Sequence, residues 1–322
     1  MARARPSHGA GAPEPRLPHR HRGRLRHLGH LHADQPRDRP SLRLARPSGA
    51  APAVNHLKAW LGIGLTAAVV AAAVAAPWLS PHDPLATDFA ASLRPPGAPG
   101  HPLGTDQLGR DLLARVLHGA RLALLIGVCT VVITAVGGGA LGLVAGFVER
   151  WPAAVLMRLA DVQLSFPFIL LAMTINAIVG LGLRNIILSL SAAGWVVYAR
   201  VVRGEVLSVK QRDFVQAAAA LGMSRVRLLL RHVLPNVAPS VIVVASLQFS
   251  SFIVAEAAIS FLGFGVQPPT PAWGSMLSEG RDFLYVAWWL AAFPGAALAL
   301  TALGVNLLGD WLRDTLDPKL RV

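Results

Sequence analysis

Apolar runs of about 20 residues recur along this chain, about the length a helix needs to cross a bilayer. They fall near Leu57–Leu79, Leu122–Val148, Leu164–Leu183, Asn185–Val202, Val237–Phe261 and Tyr285–Leu308. Inside a bilayer no water satisfies the backbone, so each segment must close its own hydrogen bonds as a helix. The expected fold class is an all-α membrane protein with six transmembrane helices. Composition agrees: 53% of residues are hydrophobic, 15% are charged and the mean hydropathy is +0.50, against about 25% charged in soluble domains. The single cysteine, Cys129, lies inside the second run. No disulfide framework is possible within the chain, and an inert buried thiol is the default.

Charge is unevenly distributed. Of the net +13, residues 1–52 supply +8, from 11 Arg against Glu14, Asp34 and Asp38. That stretch is rich in Pro and His, holds no aromatic residue and has no apolar periodicity, so residues 1–53 read as a disordered basic extension. Three explanations stay open for it: a stretch upstream of the true start, a lipid- or nucleic-acid-binding arm, and an inert tail. Elsewhere Lys and Arg mark the cytoplasmic side. Arg150 and Arg158, the loop 203–236 and the tail residues Arg313, Lys319 and Arg321 all fall on one side of a six-span topology. Both termini are then cytoplasmic and residues 80–118 lie outside.

Local patterns refine this layout. Gly138, Gly142 and Gly146 make two small-x-x-x-small steps that let a neighbouring backbone approach. Pro167, Pro239 and Pro294 should kink spans or start them. Thr105 or Asp106 can cap an outer amphipathic helix beginning near Gln107 and presenting Leu108, Leu112 and Val116 on one side. Glu256 is an acid within the fifth span, which makes it a candidate for lining a passage or anchoring helix packing. Asn176, Gln248 and Asn306 read as packing groups, and Asp161 as a partner for Arg158. His101 and His118 are too far apart to read as a metal site, and no metal site is expected.

The loop 203–236 carries Asp213-Phe214-Val215-Gln216-Ala217-Ala218-Ala219-Ala220-Leu221-Gly222, then Arg231-His232-Val233-Leu234-Pro235-Asn236. A short helix fits Phe214–Leu221, because its alanines favour helix and are small. Gly222 can end it in a left-handed cap, and Leu234-Pro235 marks the turn into the fifth span. Arg225, Arg227 and Arg231 read as solvated or lipid-facing. The segment resembles the EAA loop of bacterial ABC importer permeases, whose short helix docks on an ATP-hydrolysing subunit; Gln216 stands where that pattern usually has Glu. The resemblance implies docking roles for Phe214, Gln216, Ala217, Ala218, Gly222, Met223, Leu234 and Pro235.

Further motifs widen the resemblance. These are His101-Pro-Leu-Gly-Thr-Asp-Gln-Leu-Gly-Arg-Asp111 and its continuation to Arg121, Glu256 to Gly265, Pro271-Ala272-Trp273-Gly274 and Asn306-Leu307-Leu308-Gly309-Asp310. In this order, over about Leu57 to Arg321, the chain is similar to the C-type permease subunit of dipeptide/oligopeptide (peptide/nickel) ABC importers. That family implies the type I ABC importer permease fold in the bacterial inner membrane. It implies as partners a second permease of the same fold, two ATP-binding subunits, an extracytoplasmic solute-binding protein and membrane lipid, with no nucleic acid. It also implies a non-catalytic chain without cofactors, since ATP and Mg²⁺ belong to the partner subunits; no Gly-x-x-x-x-Gly-Lys-Ser/Thr loop is present. Dipeptides, longer peptides, glutathione and nickel complexes are all transported within the family.

The expected organisation is the extension 1–53, a first span with its outer segment over 54–118, the transmembrane domain 119–310 with the coupling loop 203–236, and a cytoplasmic tail 311–322. The alternatives are a stand-alone secondary transporter or channel, and an intramembrane enzyme. The first needs paired charges at mid-membrane, and apart from Glu256 the spans offer almost none. The second needs a nucleophile–base pair or metal ligands at membrane depth, and no His lies in the second to sixth spans.

Overall fold

The computed structural model describes residues 52–148 and 150–316; expectations for residues 1–51, Glu149 and 317–322 lie outside the described residues. Among those described, the chain is helical, with no strand beyond two isolated bridges. Long helices form where the apolar runs are: α1 (Pro52–Leu79), α2 (Leu112–Val148), α5 (Leu183–Lys210), α8 (Leu234–Phe261) and α10 (Trp289–Leu316). Between them lie α3 (Trp151–Leu164), α4 (Phe168–Val179), α6 (Asp213–Ala220), α7 (Arg225–Leu228) and α9 (Trp273–Arg281).

Five of these segments are long and apolar enough to cross a membrane. The third expected span, Leu164–Leu183, is not one straight helix. It contains only α4, which forms a bent pair with the preceding α3, turned by 96° at a short break, and the bundle has six spans only if that pair counts as one. Pro167 lacks an amide hydrogen and disfavours helical backbone at Phe166, so the helix ends and restarts there. With 12 residues, α4 is about 18 Å long, too short to cross alone.

The outer helix expected from Gln107 is also corrected. Residues 101–111 form turns, and α2 starts only at Leu112. The Asp106 carboxylate accepts from the Leu108 and Arg110 amides, at 2.8 and 3.0 Å. Asp111 accepts from the Ala114 amide at 2.8 Å and is the actual cap. Aspartates bond readily to nearby amides and thereby compete with the helix itself.

The α2–α5 pair forms the centre of the bundle. A Cβ on Gly138 would lie 2.3 Å from the Trp195 carbonyl oxygen, and one on Gly142 2.4 Å from that of Ala199. Only glycine allows this approach, which is how the small-residue spacing positions α5. Polar side chains fix α3 to α5 as well: Gln163 donates to the Ala193 carbonyl at 2.7 Å and accepts from the Trp195 indole at 2.9 Å. Asp161 pairs there with Arg200 and not with Arg158, because α3 lies against α5. Asn176 is fully buried, donating to the Phe264 carbonyl and accepting from Ser189.

Candidate functional site

Two polar regions stand out, one at each end of α2. At its C-terminal end, α6 rests on an apolar cluster of Val202, Val206 and Val209 from α5 with Val215, Leu228, Val233 and Val237. Val215 is the one α6 side chain fully buried there. The helix ends in paired bonds from Gly222 to Ala219 and from Met223 to Ala218, with Gly222 at φ +83°. This is the Schellman arrangement, whose left-handed residue is normally glycine. The expected turn at Leu234-Pro235 is instead a continuous helix, in which a π-helical turn over Leu229–Val233 leads from α7 into α8. Pro235 cannot donate to the carbonyl one turn back, and a wider turn accommodates it.

Among the eight residues expected to dock, Phe214, Gln216, Ala217, Gly222, Leu234 and Pro235 are exposed. Ala218 and Met223 pack partly against the valine cluster and act as anchors. Leu221 and Val226, 89% and 68% exposed, belong to the same tip and were missed. In the sequence they read as ordinary members of an apolar helix pattern.

At the other end, Asp106, Arg110 and Arg115 are buried together. Asp106 pairs with Arg110 at 2.6 Å and with Arg115, and both guanidinium groups reach Glu279 of α9, at 3.1 and 3.0 Å. The Trp289 indole donates to the Thr105 carbonyl at 3.2 Å, and the Trp273 indole to that of Val116 at 3.0 Å. These bonds fasten the segment before α2, and the first turns of α2 itself, onto α9 and α10.

Residues 138–322 match the family of binding-protein-dependent transport system inner membrane components. The chain belongs to that family. It is 46% identical over 258 residues to the di/tripeptide transport system permease protein DppC of Pseudomonas aeruginosa, covering 79% of this chain and 85% of that one. It is 44% identical over 243 residues to the probable D,D-dipeptide transport system permease protein DdpC of Escherichia coli, covering 76% and 81%. It is also 42% identical over 221 residues to the glutathione transport system permease protein GsiD of Pectobacterium atrosepticum, covering 69% and 73%. The chain is thus a multi-pass inner-membrane permease with the type I importer fold.

Within this permease Glu256 faces inward. Its side chain is 2% exposed, and its carboxylate accepts from the Ser260 hydroxyl at 2.6 Å. Ser260 Oγ accepts in turn from the Val266 amide at 3.2 Å. The pair therefore ties the last turn of α8 to the loop that follows. His118 bonds to the Ala114 carbonyl at 2.9 Å. His101 lies instead beside His82 and Asp111, a grouping that the sequence spacing did not reveal.

Proposed function

We propose that this permease forms half of the translocation pathway of an ATP-driven importer of the dipeptide/oligopeptide class. A second permease of the same fold completes the pathway, two ATP-binding subunits sit beneath the 203–236 loop, and an extracytoplasmic solute-binding protein delivers the ligand. ATP and Mg²⁺ are held by the partner subunits, both termini are cytoplasmic and this chain is not catalytic. The substrate class rests on the relatives, whose names specify di- and tripeptides, D,D-dipeptides and glutathione.

One observation carries the coupling role. The α6 knob is anchored from below by Val215 and the valine cluster, while Phe214 and Leu221 stand exposed above it, 43% and 89% accessible. A knob of this kind can be displaced as a rigid body when an ATPase dimer closes, and its anchorage passes the movement to α5 and α8. Phe214, Gln216, Ala217, Gly222, Leu234 and Pro235 then form the docking surface, with Ala218 and Met223 holding it. Glu256 is assigned to the packing of α8 and not to the wall of the pathway.

Gly222→Val tests this reading. A Cβ there meets no other atom within 4 Å, so the substitution clashes with nothing inside the subunit. A β-branched residue at φ +83° nevertheless costs about 1–3 kcal/mol and reshapes the turn. The variant complex is expected to reach the membrane and to hydrolyse ATP without driving uptake. Normal ATP-driven uptake by the variant overturns the docking assignment.

A further inference from the structure

The residues before α2 bring together two histidines that neither the fold nor the coupling role uses and the aspartate that caps α2. His82 follows the end of α1, His101 lies in the turns of the 80–111 segment, and Asp111 caps α2. One ligand atom from each lies within 4.8 Å of the other two. The two imidazoles stack with centroids 4.9 Å apart, and His101 Nδ1 is 3.0 Å from Asp111 Oδ1. The other Asp111 oxygen accepts from the Ala114 amide at 2.8 Å, which fixes the carboxylate's direction with Oδ1 turned to the imidazoles. His82 Nδ1 is a buried atom with no hydrogen-bond partner. A buried polar atom without a partner is costly to the fold.

We propose that His82, His101 and Asp111 bind a divalent transition-metal ion of the Zn²⁺ type. Two imidazoles and one carboxylate suit Zn²⁺, whereas Mg²⁺ and Ca²⁺ prefer all-oxygen sites and Cu⁺ prefers sulfur. Zinc–ligand bonds of about 2.0–2.1 Å place tetrahedral ligand atoms roughly 3.3 Å apart, close to the observed His101–Asp111 separation. Water completes the coordination. Binding takes neutral imidazoles and an ionised carboxylate, so where His101 ligates through Nδ1 the proton it shares with Asp111 moves to its Nε2 as the ion enters. The ion gives His82 Nδ1 or its ring neighbour a partner and clips the end of α1, the 80–111 segment and the first turn of α2 together. It would stiffen the same end of the bundle that the Asp106–Arg115–Glu279 network fastens.

The test uses the full chain in detergent, purified on a histidine-free tag, because His8, His19, His21, His27, His30 and His32 could also hold metal. After exposure to Zn²⁺ and gel filtration, the wild type should retain about one zinc more per chain than the H82A/H101A double variant. Co²⁺ in place of zinc should give ligand-field bands that the double variant lacks. A second measurement needs no variant: Zn²⁺ should slow amide exchange over residues 82–111 of the wild type. Equal zinc content in wild type and a folded double variant overturns the site, and so does unchanged exchange across 82–111.

Discussion

The segment before α2 and the loop around α6 look alike as text, since each is a charged, arginine-rich stretch between apolar runs. Their structures are opposite. Asp106, Arg110, Asp111 and Arg115 are at most 4% exposed, while Asp213, Arg212, Arg225, Arg227 and Arg231 all lie at the surface. The difference follows from charge balance. Asp106 and Glu279 give both buried guanidinium groups a counter-charge, and an arginine can leave water only when paired. The α6 loop offers Asp213 and little else against its cations, so they stay outside and the loop is fastened by apolar contacts. One end is therefore held by polar bonds and closed; the other is held by valines and keeps its tip open.

Breaking the polar end should have the largest effect. Asp106→Asn removes the charge shared by two buried arginines, a change that costs about 3–5 kcal/mol when a buried pair is broken. Thermal unfolding of the purified chain should show it as a large fall in Tm. Arg225→Gln, at the exposed end, should stay within about 0.5 kcal/mol. Equal shifts for the two variants would erase the contrast.

The seam between the regions comes next, because α2 reaches both. Gly142→Ala places a methyl group 2.4 Å from the Ala199 carbonyl oxygen, and such overpacking costs about 1–3 kcal/mol. Gly137→Ala meets nothing within 4 Å and should be neutral or slightly stabilising, since alanine favours helix. If Gly137→Ala proves as damaging as Gly142→Ala, the close α2–α5 approach does not set the fold.

What the sequence could say about these regions depended on how far apart the deciding residues lie. Long apolar runs announced α1, α2, α5, α8 and α10, because span length is a property of one segment. Pro167 marked the place of the break, but not its size, since Ser-Phe-Pro inside an apolar run is compatible with either a kinked span or a restart. The helix expected from Gln107 failed because the rotamers of Asp106 and Asp111, which bond local amides, are decided by the fold. Arg200 lies too far along the chain from Asp161 for spacing to pair them; only the packing of α3 on α5 does. Gly222 was legible because a left-handed cap is a local requirement. Leu221 and Val226 were not, because their exposure depends on where the valine cluster draws α6 down.

The smallest expected change in stability is also the sharpest test of the open end. Leu221 is 89% exposed and touches little of its own chain, so Leu221→Ser should move Tm by an amount equivalent to about 0.5 kcal/mol or less. Val215→Ser, in the same helix but 2% exposed, removes an anchor and should loosen the loop by about 1–3 kcal/mol. If the exposed leucine is covered by an ATPase subunit, its loss removes about 1.5–3 kcal/mol of apolar burial from that interface. That corresponds to association weaker by roughly tenfold or more, measurable as binding of the ATP-binding subunits to the permease in detergent. A Leu221→Ser variant that keeps its stability and loses its ATPase partner establishes the tip as a contact surface. Unchanged association, or a Tm loss equal to that of Val215→Ser, means that the side chain serves the loop itself and that docking must lie elsewhere on this end of the bundle.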